Sequence, residues 1–266
     1  MYSTVNHPTL EARLNGIISS QSRARISFFI LLYASGAVLF GLWNMYLSWE
    51  RQWAEITEDP VGWGKEKLLQ EQIGSWLEGQ SIGISAIGLK ISVSDINVLG
   101  AFLLFLLSYY FCLCMRRENH DIGSLLIDTK DCNQEIKHHI LAVTKSGMIL
   151  SPSSQNDSPY SDLNSDRIKK RIFFSRPVGE ILVYLPVIAI LVTIYSDIYF
   201  SLFYKSPWRN NPSSVWSELN ATYRTQIVLC DVIGLIFCIV TLVSINNARK
   251  YIVATNRIVK QFHAHL

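Results

Sequence analysis

The densest collection of reactive side chains in this sequence is "CLCMRRENHDIGSLL", residues 112 to 126, with two cysteines, two arginines, a histidine and an aspartate in fifteen positions. Cys112 and Cys114 beside His120 and Asp121 suggest a metal site, and His120-Asp121-Ile122-Gly123 spells the core of a metal-dependent phosphohydrolase motif. Spacing argues against both. Four-ligand zinc sites use Cys-x(2–4)-Cys with a matching second pair, whereas two cysteines two residues apart on a helix point about 200° away from each other. Cys132 with the neighbouring His138 and His139 is equally loose, because adjacent helical side chains diverge by about 100°. A His-Asp dyad needs further His and Asp ligands from other helices. Here His7, His138, His139, His263 and His265 are scattered over segments too short for a helical catalytic domain. With no GxGxxG, P-loop, GxSxG, HExxH or paired CxxC, the sequence predicts no catalytic residue, no metal ligand and no cofactor. The chain reads as non-enzymatic.

A second pair of groups capable of chemistry is Asp197 and Asp231. Each lies in an apolar run, Asp197 seven residues before the end of one and Asp231 about five residues into the next. At 1.5 Å per residue both sit about 7 to 10 Å below the same surface, on neighbouring antiparallel helices. An acid inside a membrane is costly and is by default a functional hypothesis. Two readings follow. The pair is a cation or proton site, helped by the carbonyl of Leu182 that Pro186 releases, or it is a structural pair held by Tyr195, Tyr199, Tyr204 and Tyr223.

The elements that must position these groups follow from composition. The 266 residues are 49% hydrophobic and 17% charged, against about 25% charged in an ordinary soluble domain. The charge deficit falls in four apolar blocks, each close to the roughly 20 residues that a helix needs to cross the hydrocarbon. The predicted architecture is therefore an all-α integral membrane protein with four transmembrane helices, both termini inside. It comprises an N-terminal segment (1–25), spans at 26–47, 96–115, 179–204 and 226–246, and a tryptophan-rich outer α+β subdomain at 48–95. A cytoplasmic helical segment and flexible linker (116–178), a short outer loop (205–225) and an amphipathic tail (247–266) complete it.

Charge sets the orientation. Of the 24 Lys and Arg, 17 fall in the segments placed inside, and the 48–95 loop carries eight acidic against four basic residues, which is the positive-inside pattern. All seven tryptophans fall at or beyond the outer ends of spans, so Trp43, Trp49 and Trp53 read as interface anchors. Arg116 and Arg117 mark the inner end of the second span, where cationic side chains snorkel. Lys169, Lys170 and Arg171 in "RIKKRIFFSRP" read as a second anchor on anionic lipid. Glu118, Asn119, His120 and Asp121 would form a polar collar at the headgroups, with Arg116 or Arg117 paired to Glu118 or Asp121.

Within the outer loop, Lys65 to Glu78 has the period of an amphipathic helix, and Ser81 to Asp95 alternates as in a hairpin turning near Ala86 to Gly88. Inside, a helix is expected from Asn133 to about Lys145, followed by a serine-rich stretch with the composition of a linker. Near the N-terminus Leu10, Leu14, Ile17 and Ile18 recur at helical spacing. In the tail Ala248, Tyr251, Ile252, Thr255, Ile258, Val259 and Phe262 form one face, expected to lie on the membrane or against a partner. The implied partners are the lipid bilayer and other membrane subunits or further copies of the chain, with no nucleic acid. The implied setting is the bacterial inner membrane, and the function an anchoring, scaffolding or signalling subunit of a membrane complex. The alternative is a small oligomeric ion or proton channel or transporter using the two aspartates.

Overall fold

A computed structural model of the protein describes residues 7–58, 81–84, 89–92, 96–129, 132–148, 181–203 and 220–264, with single helical residues at 179 and 216. In chain order these form α1 (His7–Glu58), β1 (Ser81–Ile84), β2 (Leu89–Ser92), α2 (Ile96–Asp128), α3 (Gln134–Gly147), α4 (Leu185–Phe203) and α5 (Ala221–Ala264). The serine-rich linker, the Lys65–Glu78 stretch and the basic run at Lys169, Lys170 and Arg171 lie outside the described residues. So do the side chains of Trp49 and Trp53.

Three helices are long and apolar enough to cross a membrane, within 10–44, 98–128 and 224–263. They carry large apolar side chains outward: Phe29, Phe40, Leu103 and Ile239 are all half-exposed or more. Such continuous apolar exposure is unfavourable in water and ordinary in lipid. The chain is accordingly an all-α membrane protein in class.

Each long helix continues well past its apolar block. At 1.5 Å per residue the 52 residues of α1 make a rod of about 78 Å. α1 runs without interruption from the N-terminal segment through the expected first span. No proline follows Pro8 before Pro60, and Pro8 sits in the first turn, where its missing N–H costs nothing.

Burial along these helices has a period of 3.5 rather than 3.6. On α1 the inward positions are Ile17, Gln21, Ala24, Phe28, Leu31, Ser35 and Leu42. On α2 they are Leu104, Ser108, Phe111, Met115, Glu118, Ile122, Leu125 and Thr129, and on α5 Gly234, Cys238, Thr241, Ile245, Ala248, Ile252, Thr255 and Val259. Steps alternating between four and three residues are the heptad pattern of left-handed coiled-coil packing. Within the apolar blocks the inward residues include Ser35, Ser108 and Thr241, all fully buried. This matches membrane helices, which approach one another through small and hydroxylated side chains because lipid is as apolar as leucine.

Two compact units are distinguished, one of 1–33, 106–186 and 240–266, the other of 34–105 and 187–239. In the first, Ile17, Ile122, Leu125, Leu126, Ile140, Leu141, Met148 and Val259 form one apolar core, with Leu10, Leu14, Ile136, Ile258 and Phe262 packed against it. Four helices thus contribute to a core made from segments outside the predicted spans. Ile18, expected on the same face as Ile17, is half-exposed. The tail face predicted for α5 is the face that is buried, but it docks on the chain's own α1, α2 and α3 instead of lipid or a partner. Arg249, Lys250, Arg257 and Lys260 stay exposed on its other sides.

Polar contacts hold this bundle in register. Gln21 Nε2 donates to the Thr144 carbonyl at 2.9 Å, Asn119 Nδ2 donates to Thr255 Oγ1 at 2.8 Å, and Arg13 pairs with Asp128. The α3 helix starts where the sequence places it, with the Asn133 side chain accepting from the Gln134 N–H at 2.7 Å and Glu135 in the first turn.

In the second unit Phe237 of α5 lies against Phe102 and Phe105 of α2, with ring centroids 5.4 and 5.8 Å apart. At Gly234 a Cβ would meet Ile194 Cγ1 of α4 at 3.3 Å. The tight approach of α4 to α5 therefore depends on the missing side chain. Gly234→Leu is expected to destabilise the protein by about 1–3 kcal/mol through overpacking, read as a lower thermal midpoint in detergent. Gly36→Leu, at a position with open space around it, is the control that should leave the midpoint nearly unchanged.

The expected span at 179–204 is interrupted. Residues 181–183 are helical, Tyr184 is a turn whose N–H donates to the Ile181 carbonyl at 2.9 Å, and α4 begins at Leu185. Pro186 is the cause. It provides no N–H for the Leu182 carbonyl and its ring crowds that group, so it is accommodated in a first turn rather than inside a helix. Strands β1 and β2 pair antiparallel with Ser81 opposite Ser92 and Ile84 opposite Leu89, the hairpin expected from the alternating residues.

Candidate functional site

Asp197 lies on α4 and Asp231 on α5, which approach closely where Gly234 meets Ile194. In the structure Asp197 of α4 is the acidic group that lies within interaction range of Asp231 of α5. Both residues are half-buried. An ionised carboxylate is acceptor-only, so two neighbouring acids can share a hydrogen bond only when one of them carries a proton. Tyr195 and Tyr199 stack on one another nearby in sequence, centroids 6.1 Å apart. Tyr204 lies outside the described residues, as does the Tyr223 side chain. At the start of α5, Arg224 sits 5.7 Å over the Trp216 ring, and Trp43 on α1 is largely exposed.

The opening stretch resolves into separate roles. Cys112 and Cys114 are half-buried free thiols, and among the described residues no three His, Cys, Asp or Glu side chains cluster to hold a metal. Arg116 and Arg117 are exposed, and Arg117 Nε lies 3.8 Å from Asp121 one turn on. The collar at 118–121 needs correction. Glu118 is 1% exposed, and its Oε2 has no hydrogen-bond partner. It occupies an inward position between Met115 and Ile122, where the heptad turns the side chain into the bundle irrespective of its charge. The Arg25 guanidinium of α1 is the cationic group whose field acts on it. A buried carboxyl on a packed helix seam was the feature that sequence reasoning missed. The pattern that reveals it is the run 111, 115, 118, 122, 125, which marks one face of α2 and includes position 118.

His120 faces the other way. It is exposed and lines an open groove of about 300 Å³ between α1 and α2 with Arg13, Arg23, Arg117, Ser19 and Ser124. The first site places two acids near one another, and the second gathers Arg13, Arg23, Arg117 and His120 along one groove.

No protein-family model, curated protein or solved structure matches this chain. Function therefore has to be argued from these residues alone.

Proposed function

We propose that the chain is a non-enzymatic, four-span membrane protein that serves as an anchoring, scaffolding or signalling subunit of a membrane complex, with both termini in the cytoplasm of a bacterial inner-membrane setting. The observation that carries this reading is the bundle beyond the spans. Three membrane helices extend into it, α3 joins them, and the buried face of α5 is satisfied within the chain. Such a unit is a rigid platform with a charged exterior, and its apolar core needs no partner to complete it. The fourth span is assigned to α4 with the residues before it, since 19 residues cover about 28 Å, close to the roughly 30 Å of hydrocarbon. The β1–β2 hairpin belongs to the outer subdomain in this arrangement.

Copurification from the native membrane after mild solubilisation tests the reading. A defined partner or a homo-oligomer should travel with the protein, and a lone monomer that captures nothing would end the proposal. A reporter fused after Leu266 should be cytoplasmic, and one inserted near Gly79 external.

The transporter reading is favoured by one specific feature, the proximity of Asp197 and Asp231 on α4 and α5. A proton shared by two acids inside an apolar segment is the minimal element of a proton relay. Reconstitution into liposomes with a proton-flux assay separates the two functions.

A further inference from the structure

From the groove between α1 and α2 we infer a binding site for a phosphomonoester anion, carried on a lipid headgroup, that engages Arg23 and Arg117 at the membrane boundary and reaches toward Arg13 and His120.

The lining residues make the chemical argument. Arg13, Arg23 and Arg117 line the groove with Asp121, and because Arg13 is already paired with Asp128, the free positive charge is that of Arg23 and Arg117. Among the described residues Arg23 is in no ion pair, and the Arg117–Asp121 contact at 3.8 Å is too long for a hydrogen bond. Both cations therefore keep donors for a ligand. The positive excess suits a phosphomonoester, which carries about −1.5 to −2 charge near neutrality. Arginine forks match phosphate oxygens in a bidentate way. The Ser19 and Ser124 hydroxyls and the His120 ring add neutral hydrogen-bonding groups to the same walls. Gly16 forms part of the lining with nothing within 4 Å of where a Cβ would stand, which leaves the floor open.

Position argues for a lipid as the source. Arg23 lies three residues before Ile26, where the apolar block of α1 starts, and Arg117 lies two residues after Met115, where that of α2 ends. Both are at headgroup level. Arg13 is ten residues from Arg23 along the same helix, about 15 Å farther from the hydrocarbon. A headgroup phosphate held at the boundary thus meets positive charge on its outward side. The volume, about 300 Å³, is at the lower limit of the roughly 300–1,000 Å³ of small-molecule sites and suits one compact headgroup.

The inference stands apart from the proposed function, which survives its failure. The test uses the full chain in detergent, titrated with phosphatidate, phosphatidylglycerol and phosphatidylcholine while native mass spectrometry counts bound lipid. Phosphatidate is expected to be retained at about one equivalent and about tenfold more tightly than phosphatidylglycerol, whose phosphodiester bears a single charge. Arg23→Gln with Arg117→Gln should abolish that preference, Arg23→Lys with Arg117→Lys should restore part of it, and Lys250→Gln with Lys260→Gln should leave it intact. Gly16→Phe fills the groove without altering its charge and should weaken phosphatidate to the same degree, with an unchanged melting temperature showing that the fold persists. Displacement of phosphatidate by millimolar inorganic phosphate would assign the same site to a soluble phosphate, and resistance to it assigns the site to lipid. Equal retention of phosphatidate and phosphatidylglycerol by the unaltered chain, or a preference that persists in the Arg→Gln pair, overturns the inference.

Discussion

Leu125→Ala is expected to lower stability by about 2–5 kcal/mol, the usual cost of emptying a fully buried leucine site. Leu125 is 1% exposed and is shared among the walls formed by Ile17, Ile122, Ile140 and Val259. The effect should appear first in α3. This helix is only 14 residues long, near the limit at which an isolated helix is marginal in water, so its order depends on the core beneath it. Amide hydrogen exchange across 134–147 should accelerate together with the loss of the thermal midpoint. Ile127, two residues along the same helix, is 74% exposed. Its replacement by alanine should change stability by less than about 0.5 kcal/mol. A comparable loss at the two positions would contradict the heptad seam as the source of stability.

The second large effect concerns the acid pair. Asp197→Ala leaves Asp231 without its neighbouring acid inside an apolar segment, and if the two share a hydrogen bond the expected cost is about 1–3 kcal/mol. Asp231→Ala should cost a similar amount. Removing both takes away the orphaned group along with the bond, so the double variant should be more stable than the sum of the singles predicts, with a coupling of about 1 kcal/mol or more. Asp197→Asn retains an amide donor for Asp231 and should be nearly neutral for stability. That substitution also separates structure from transport. If the pair only joins α4 to α5, Asp197→Asn is silent in every assay, whereas a proton relay loses flux while the protein stays folded. Additive losses from the two alanine variants would show that the acids do not act as a pair.

The acid pair was legible in the sequence because depth in a membrane helix is simple arithmetic, and position fixes which groups can meet. The α3 start was legible because Asn133 is a capping residue ahead of an amphipathic run. The tail of α5 was legible in part: periodicity identifies which face is apolar, but it carries no information about what covers that face. Its cover comes from residues more than a hundred positions earlier, in α1, α2 and α3. Glu118 was misread because residue type outweighed register. A glutamate near the headgroups suggests solvation, yet at an inward heptad position between Met115 and Ile122 the backbone turns it into the bundle. The groove was not legible because it forms only when Arg13 and Arg23 of α1 are set beside Arg117 and His120 of α2, a juxtaposition that neither helix encodes alone.

The core that joins Ile17 to Val259 also constrains biosynthesis. These two residues are separated by almost the whole chain, and Ile122 and Ile140 supply the layers between them. Contacts of such sequence separation form late, after the entropy of closing long loops has been met. The apolar stripe in the N-terminal half of α1 leaves the ribosome before any of its cover, and that cover is complete only once translation has passed Phe262. A chain that ended before Ile258 would lack the layer that Ile258, Val259 and Phe262 supply, and its bundle would stay open on that side.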